Sequence, residues 1–391
     1  MQGVGIGIIS NCAGLYYDPI CKELGFSMGK LTFYKTISGF FAILSLTVVP
    51  KLVKQHDIRI VSFALIVMAG GANLLMAFSS KLWHWYLLGA LQGCALTGFS
   101  HFLPVTILNN WFSKKNGFAL GLSCATSGAL GSIMSRILSM LIARYGWRMS
   151  AFVNGLFCIA ICAPFLLIFL RYRPEDLGMK PYGYDKASQH PSFAQTTSAG
   201  NSYSTNAFGL AFWVVMLFSV SAKSIVGFAQ YLSGYGSSLG YPTQTASLIL
   251  TLYLLGNVCF KLLFGYLNDR LGVLRSSDCE LLTLLLGCTL LLSKSQSLIF
   301  IGAALYGTCA MLSNVQYPLL VRSLWSKETF PKVYAKISIA ADVGYYLSIS
   351  AFGFLYDATK RYEPGIIVCI VLTVLCLLLV NSAYRRPGSK Q

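Results

Sequence analysis

Leu88-Gly89-Ala90-Leu91-Gln92-Gly93 is followed eleven positions later by Pro104 and seven further on by Trp111. In the second half Gly302-Ala303-Ala304-Leu305-Tyr306-Gly307 is followed, at the same spacings, by Pro318 and Trp325. Each copy lies in, or at the end of, a long apolar stretch that runs into a short loop containing lysine. The same helix and loop are therefore expected twice in one chain. Leu24-Gly25-Phe26 likewise returns as Leu239-Gly240-Tyr241, each just ahead of the next apolar stretch. The common order of these matches is the signature of an internal repeat.

Composition sets the class of both halves. Hydrophobic residues make up 55% of the 391 and charged residues 11%, and mean hydropathy is +0.63. A soluble domain carries about 25% charged residues, so this chain is expected to be an all-α integral membrane protein. A membrane helix needs roughly 20 apolar residues. Such segments are read near 3–18, 29–50, 58–79, 83–108, 117–142 and 147–170, and then near 207–235, 243–267, 278–293, 297–322, 333–356 and 364–383. The strict alternation of a β-barrel is not visible. The reading is about twelve helices: an N-terminal six-helix bundle over 1–170, a linker over 171–206 and a C-terminal six-helix bundle over 207–391. Matched halves of membrane-length segments imply a secondary transporter built from repeats.

The formal charge of +17 is spread over loops, not gathered into a patch, which argues against a nucleic-acid partner. Lys51, Lys54, Arg59, Lys114, Lys115, Arg171, Arg173, Lys180, Lys186, Arg270, Arg275, Arg322, Lys327, Lys332, Lys336, Arg385, Arg386 and Lys390 fall on one side of the expected topology. Lys22, Lys30, Lys81, Arg144, Arg148, Lys294, Lys360 and Arg361 fall on the other. The positive-inside rule places the first group, and both termini, in the cytoplasm. The expected location is a cell inner (plasma) membrane.

Most of the twelve cysteines, among them Cys94, Cys124, Cys158, Cys162 and Cys259, fall inside apolar helices and read as small buried hydrophobes. There is no C-x-x-C pair, and no His or carboxylate at ligand spacing, so neither a metal nor another cofactor is expected. Ser/His/Asp, paired-carboxylate and P-loop patterns are not recognisable, which argues against catalysis and ATP-driven pumping. The polar segment from Arg173-Pro174-Glu175-Asp176-Leu177-Gly178 onward is composition that does not bury a core and reads as a tether between halves.

Several local patterns carry a resemblance over essentially the whole length. Arg173 to Gly178 is similar to the linker opening of the oxalate/formate and monocarboxylate-type branches of the major facilitator superfamily. Asn110-Trp111-Phe112-Ser113-Lys114-Lys115-Asn116-Gly117 resembles their loop between helices four and five, and Tyr145-Gly146-Trp147-Arg148 their hairpin between helices five and six. Gly265-Tyr266-Leu267-Asn268-Asp269-Arg270-Leu271-Gly272 resembles the superfamily's cytoplasmic loop motif. Gly265 and Gly272 let helices approach, while Asp269 and Arg270 supply a gate latch. The first-half equivalent, Pro50 to Arg59, lacks the spacing, so gating is expected at the second copy.

The resemblance implies alternating access around a cavity lined by helices one, four, seven and ten. Polar groups at membrane depth then mark function. Lys223, roughly 24 Å along helix seven by helical rise, sits in Ser219-Val220-Ser221-Ala222-Lys223-Ser224 and fits contact with an anionic substrate; the alternative is a lysine reaching the outer interface. Asp342, about 14 Å into helix eleven, is read as the carboxylate closest to the midplane, suited to proton coupling or to neutralising a lysine such as Lys223. His101 has a titration range that fits proton transfer, against a packing role. Asn11, Tyr16, Gln316 and Tyr317 are read as cavity hydrogen-bonders or helix-packing groups, and Arg136 as a substrate contact or a structural ion pair. Lys35 is expected to snorkel at the outer end of helix two, and Lys261 at the inner end of helix eight.

Oxalate/formate exchangers place cations on helices eight and eleven. Here those are Lys261 and Lys336, both near the cytoplasm, and Asp342 stands where a cation would help, which weakens dicarboxylate exchange. Helix five carries Ser127-Gly128-Ala129-Leu130-Gly131 in place of the Gly-Pro of an antiporter signature. The first helix has about sixteen residues before Asp18 and Pro19, fewer than the roughly 20 required, so a start upstream, or a truncated chain, is expected. The reading is a monomeric secondary transporter of a small organic solute, most plausibly a monocarboxylate-like anion moved with protons or by exchange. The alternatives are a facilitator of a neutral or cationic solute, and a membrane sensor that keeps the fold.

Overall fold

The computed structural model describes residues 1–113, 115–183, 209–293, 295–326 and 329–384, apart from the side chains of 116–118, 269, 383 and 384. Most of the expected linker, 184–206, lies outside the described residues, as do Lys114, Lys186, Lys294, Lys327, Arg385, Arg386 and Lys390.

The chain is all-α. A π-helical segment, Gly3–Ser10, and a 3-10 turn, Asn11–Ala13, lead into α1 (Gly14–Leu24), followed by α2 (Met28–Gln55) and α3 (Ile58–Met76). α4 (Leu82–Leu96) continues through a π-helical segment, Thr97–Phe102, into α5 (Leu103–Trp111), and α6 (Asn116–Phe169) follows. α7 (Leu210–Phe228) passes through a 3-10 turn into α8 (Leu232–Ser238), and then come α9 (Thr243–Leu271) and α10 (Val273–Leu291). α11 (Gln296–Tyr306) and α12 (Thr308–Met311) lead through another π-helical segment, Leu312–Gln316, to α13 (Tyr317–Leu324); α14 (Phe330–Thr359) and α15 (Glu363–Tyr384) follow. Among the described residues the one β-bridge pairs Phe112 with Tyr182.

The two π-helical segments inside the repeat, the first at Thr97–Phe102 and the second at Leu312–Gln316, have a local cause. Pro104 and Pro318 have no N–H, and a proline ring clashes with the carbonyl four residues before it. Those carbonyls belong to Ser100 and Asn314, inside the two segments. The turn widens, and Leu103 N–H reaches Gly98 O while Tyr317 N–H reaches Leu312 O, each five residues back. The repeat read from the sequence thus produces the same irregularity twice.

Nine stretches among the described residues are long and apolar enough to cross a membrane, fewer than the twelve expected. One of them, Ala119–Phe169, spans 51 residues and contains Gly146 in a non-helical conformation at φ 81° and ψ 168°. Residues 3–24 are broken into π, 3-10 and α pieces, so no single regular helix is long enough there. α10 carries Arg275, Asp278 and Glu280 in its first half, too many charges for an apolar window. The chain is a multi-pass integral membrane protein.

Two compact units emerge, one formed by Met1–Ala13 with Ile37–Ala199 and the other by Gly14–Thr36 with Gly200–Gln391. In the first unit, a β-carbon at Gly93 would overlap the Ser38 carbonyl, so α4 and α2 touch backbone to backbone. The chain after α6 folds onto the loop beyond α5: Asn110 Nδ2 donates to Tyr172 O at 3.1 Å, Trp111 Nε1 to Arg171 O at 3.3 Å and Tyr182 N to Trp111 O at 2.8 Å. Asp57 caps α3 by accepting from Arg59 N at 2.8 Å.

In the second unit, a β-carbon at Gly307 would meet the backbone of Gly256 and Asn257 on α9. The repeated glycine therefore makes the same kind of contact in each unit, the small-residue approach by which helices associate in lipid. Asp357, near the end of α14, accepts from Met28 N at 2.9 Å and Gly29 N at 2.7 Å. It caps the N-terminus of α2 from 329 and 328 residues away in sequence. Tyr362 donates to Asp18 Oδ1 at 2.7 Å, tying α1 to the turn after α14.

Candidate functional site

α7 and α14 bring the central groups of the second unit together. On α14, Tyr334, Ser338 and Asp342 recur every fourth residue, so they stand above one another on one face. Lys223 on α7 reaches that face, with its Nζ 3.1 Å from Asp342 Oδ1. The lysine side chain is 17% exposed and the aspartate 43%. The ion pair is therefore shielded on the lysine side and open on the carboxylate side.

A polar and aromatic layer adjoins the pair. Tyr317 O–H and Ser338 Oγ share a hydrogen bond of 2.9 Å, and the Tyr317 ring stacks on Tyr334 with centroids 5.8 Å apart and planes at 13°. Tyr334 in turn stacks on Phe330 at 5.4 Å. Tyr345, three residues beyond Asp342, is hydrogen-bonded to Gln230, and Gln230 Oε1 accepts from Gly14 N at 3.1 Å. One cation, one carboxylate and a set of hydroxyls and stacked rings suit a small ion with an organic body: the charges fix its head and the rings cover the remainder.

The remaining expected residues are distributed as follows. Gln316 is fully buried in the second π-helical segment. Its Nε2 donates to Ser277 Oγ at 2.5 Å and Val273 O at 2.9 Å, with Asn268 Oδ1 at 3.3 Å, and its Oε1 accepts from Asn268 Nδ2 at 3.0 Å. Its hydrogen bonds thus go to α9 and α10. Tyr16 is buried on α1 in the second unit. Asn11, His101 and Arg136 belong to the first unit; Asn11 and Arg136 are half-buried, and His101 is exposed within the first π-helical segment.

Of the gating set, Gly265 is half-buried within α9, and Gly272, at φ 79°, forms the break between α9 and α10. The Arg270 guanidinium lies over the Tyr266 ring, 4.7 Å from its centroid. The side chain of Asp269 lies outside the described residues.

Three features differ from the sequence reading. Lys35, expected at the interface, is 5% exposed, with its Nζ 5.1 Å from the centroid of the Tyr34 ring. Cys124 and Cys259, expected to be buried, are on faces that no protein covers, since either face of a membrane helix tolerates a small apolar residue. Glu280 is singled out by no pattern in the sequence, where this helix is read from 278. α10 begins five residues earlier, at Val273 just after the Gly272 break, and Glu280 is wholly buried. Among the described residues no group of three metal-ligating side chains occurs.

A family model described as Major Facilitator Superfamily matches residues 3–242 and 212–391. The chain belongs to the Major Facilitator Superfamily. Its family and fold are those of membrane transporters and not of enzymes. Monocarboxylate transporter 12 of Rattus norvegicus is 22% identical over 343 residues, covering 81% of this chain and 70% of its own. The membrane sensor protein UhpC of Salmonella typhimurium is 25% identical over 217 residues, covering 53% of this chain and 48% of its own. The chain thus spans about half the length of that second superfamily relative. The crystal structure of the nucleoside transporter NupG aligns with a TM-score of 0.70 at 12% identity, covering 98% of this chain and 97% of that one. At that identity the likeness is one of fold, and the fold is that of the superfamily.

Proposed function

We propose that the chain moves a monocarboxylate-like organic anion together with a proton, by alternating access, as a monomer in a plasma membrane with both termini on the cytoplasmic side. The observation that carries this reading is the Lys223–Asp342 pair, 3.1 Å apart and open at its carboxylate. A solute carboxylate and Asp342 compete for the same ammonium. When Asp342 takes a proton, the O–H bond neutralises it and frees Lys223, and the solute anion takes its place. At this pair one anion and one proton travel together as a neutral unit, which avoids carrying bare charge through lipid. Tyr317 and Ser338 supply hydroxyls beside the pair, and Asn11, Tyr16 and Arg136 remain proposed substrate contacts, while Gln316 is proposed as a helix-packing group. His101 is a proposed proton relay, and the run Gly265, Asp269, Arg270 and Gly272 the gate.

The reading includes twelve helices in two six-helix halves, 1–170 and 207–391, joined by 171–206. The Gly146 break divides Ala119–Phe169 into two crossings. Residues 3–24 supply another in pieces, and α10, with Glu280 buried and Asp278 bonded to Asn381, the last. The name of the rat relative supports an anionic monocarboxylate.

The test is uptake of labelled lactate, pyruvate, formate and oxalate into proteoliposomes, with and without an inward proton gradient, for wild type, Lys223→Ala and Asp342→Asn. Gradient-stimulated uptake lost in both variants is the expected outcome. Uptake indifferent to Lys223→Ala would overturn the assignment. A second reading, a non-transporting sensor, is favoured by the UhpC match; it requires folded protein that binds a solute without moving any. A third, a neutral or cationic solute held by Asp342, rests on the greater exposure of that carboxylate.

A further inference from the structure

Glu280 is the eighth residue of α10, about 10 Å from the start of the helix by its rise. It is 0% exposed, and neither carboxylate oxygen has a hydrogen-bond partner among the described residues. One turn earlier on the same face, Ser276 is equally buried, with its hydroxyl also unpartnered. The neighbouring polar seam behaves differently: Gln316, Asn268 and Ser277 close on one another at 2.5 to 3.3 Å. Asp278, also on α10, accepts from Asn381 Nδ2 on α15 at 3.1 Å. Glu280 thus stands apart from both polar arrangements around it.

An ionised carboxylate with no donor in a water-free interior is far costlier than a neutral acid, and such a group neutralises by taking a proton. Among the described residues no titratable group closes a hydrogen bond on it. Cys309 on α12 feels the charge of Glu280 and also that of Lys261 on α9. In the field of Cys309 in turn stand Tyr306 on α11, whose O–H is spent on Ile225 O at 2.6 Å, and Cys369 on α15, beside Tyr306 at 3.4 Å. A leucine or glutamine would fill the same volume without that cost, so the retained carboxyl points to a use for its proton.

We propose that Glu280 is a proton-carrying site of the transport cycle, separate from the Lys223–Asp342 pair. It takes a proton from water on one side of the membrane, forming an O–H bond at one carboxyl oxygen, and is buried as the neutral acid. It returns the proton to water on the other side when the seam of α9, α10 and the second π-helical segment opens, and the carboxylate is regenerated. Ser276 is placed to hydrogen-bond the group in one of its two forms. This inference rests on the transporter reading but not on the choice of solute.

The test combines spectroscopy with transport on the full chain reconstituted in lipid. Infrared difference spectra between acid and alkaline buffer should show a protonated-carboxyl C=O band in wild type that shifts in heavy water, disappears on alkalinisation, is absent from Glu280→Gln and persists in Asp342→Asn. Glu280→Gln proteoliposomes should still take up labelled lactate under an inward proton gradient, through Asp342, while moving fewer protons per lactate than wild type. Absence of the band from folded wild-type protein, a band that ignores pH, or an unchanged proton-to-lactate ratio in Glu280→Gln would each overturn the proposal. Should Glu280→Gln fail to fold, the wild-type and Asp342→Asn spectra decide it: a pH-responsive band in both supports the site, and its loss in Asp342→Asn assigns the proton to Asp342 instead. If no acid tried is transported, the solute reading fails while the infrared result still judges Glu280.

Discussion

Lys223 and Asp342 meet from α7 and α14 with Nζ and Oδ1 3.1 Å apart, and the aspartate keeps more than twice the exposure of the lysine, 43% against 17%. An ion pair this open contributes little to stability, on the order of 1 kcal/mol or less once solvent screening is counted. Lys223→Ala and Asp342→Asn are accordingly expected to purify as folded protein, with thermal midpoints close to wild type, while uptake collapses. Scanning fluorimetry beside the uptake assay separates the two effects. A large drop in midpoint for either variant would mean that the pair is structural.

Gln316 has the opposite profile. Its amide joins α9, α10 and the second π-helical segment through bonds to Asn268, Val273 and Ser277. Gln316→Leu leaves buried acceptors and donors without partners, at about 1–3 kcal/mol. The loss should appear as a lowered unfolding midpoint, with the KM for solute in surviving protein unchanged. A raised KM at unchanged stability would put Gln316 in the substrate cavity.

Gly93 and Gly307 should each reject any side chain, because a β-carbon at either meets the backbone of a neighbouring helix. Overpacking costs about 1–3 kcal/mol for small intrusions and more where backbone must move. Gly93→Leu and Gly307→Leu are expected to lose most folded yield in a size-exclusion assay. Gly71→Ala, where nothing lies within 4 Å, should behave as wild type and serves as the control.

Asp357 caps the N-terminus of α2 with both carboxylate oxygens. Replacing it with alanine frees two backbone N–H groups, and loss of a cap costs about 0.5–2 kcal/mol. Asp357→Ala should therefore lower the unfolding midpoint, and hydrogen exchange at Met28 and Gly29 should accelerate before exchange elsewhere in α2. Exchange at those two amides unchanged from wild type would show that the cap is not made in the membrane.

Much of the fold was legible because it was written twice. The glycine, proline and tryptophan of the two copies gave the helix and its loop, and apolar length gave the class. The tie between Lys223 and Asp342 was legible from depth, since each charge was placed well inside a helix and one needed the other. Depth also explains the main miss. Glu280 depends on where α10 starts, and Gly272 opens that helix inside a stretch whose hydropathy is too low to mark it. The cap of Asp357 on Met28 and Gly29 was hidden for a different reason: such a contact joins residues some 329 apart, and no local pattern announces its partner. The buried position of Lys35 was missed because a lysine near a helix end looks the same whether it turns to lipid headgroups or to Tyr34.

The wide turns at Thr97–Phe102 and Leu312–Gln316 give each copy of the repeat a spare residue. A π-helical turn holds one more residue than the α-helix would at the same place. Closing it would advance everything beyond by one residue, a rotation of about 100° and a shift of about 1.5 Å along the axis. Pro104 and Pro318 fix where that slack is stored, so the far end of either helix can turn its side chains to a new face while the glycine-packed end, at Gly93 or Gly307, keeps its grip.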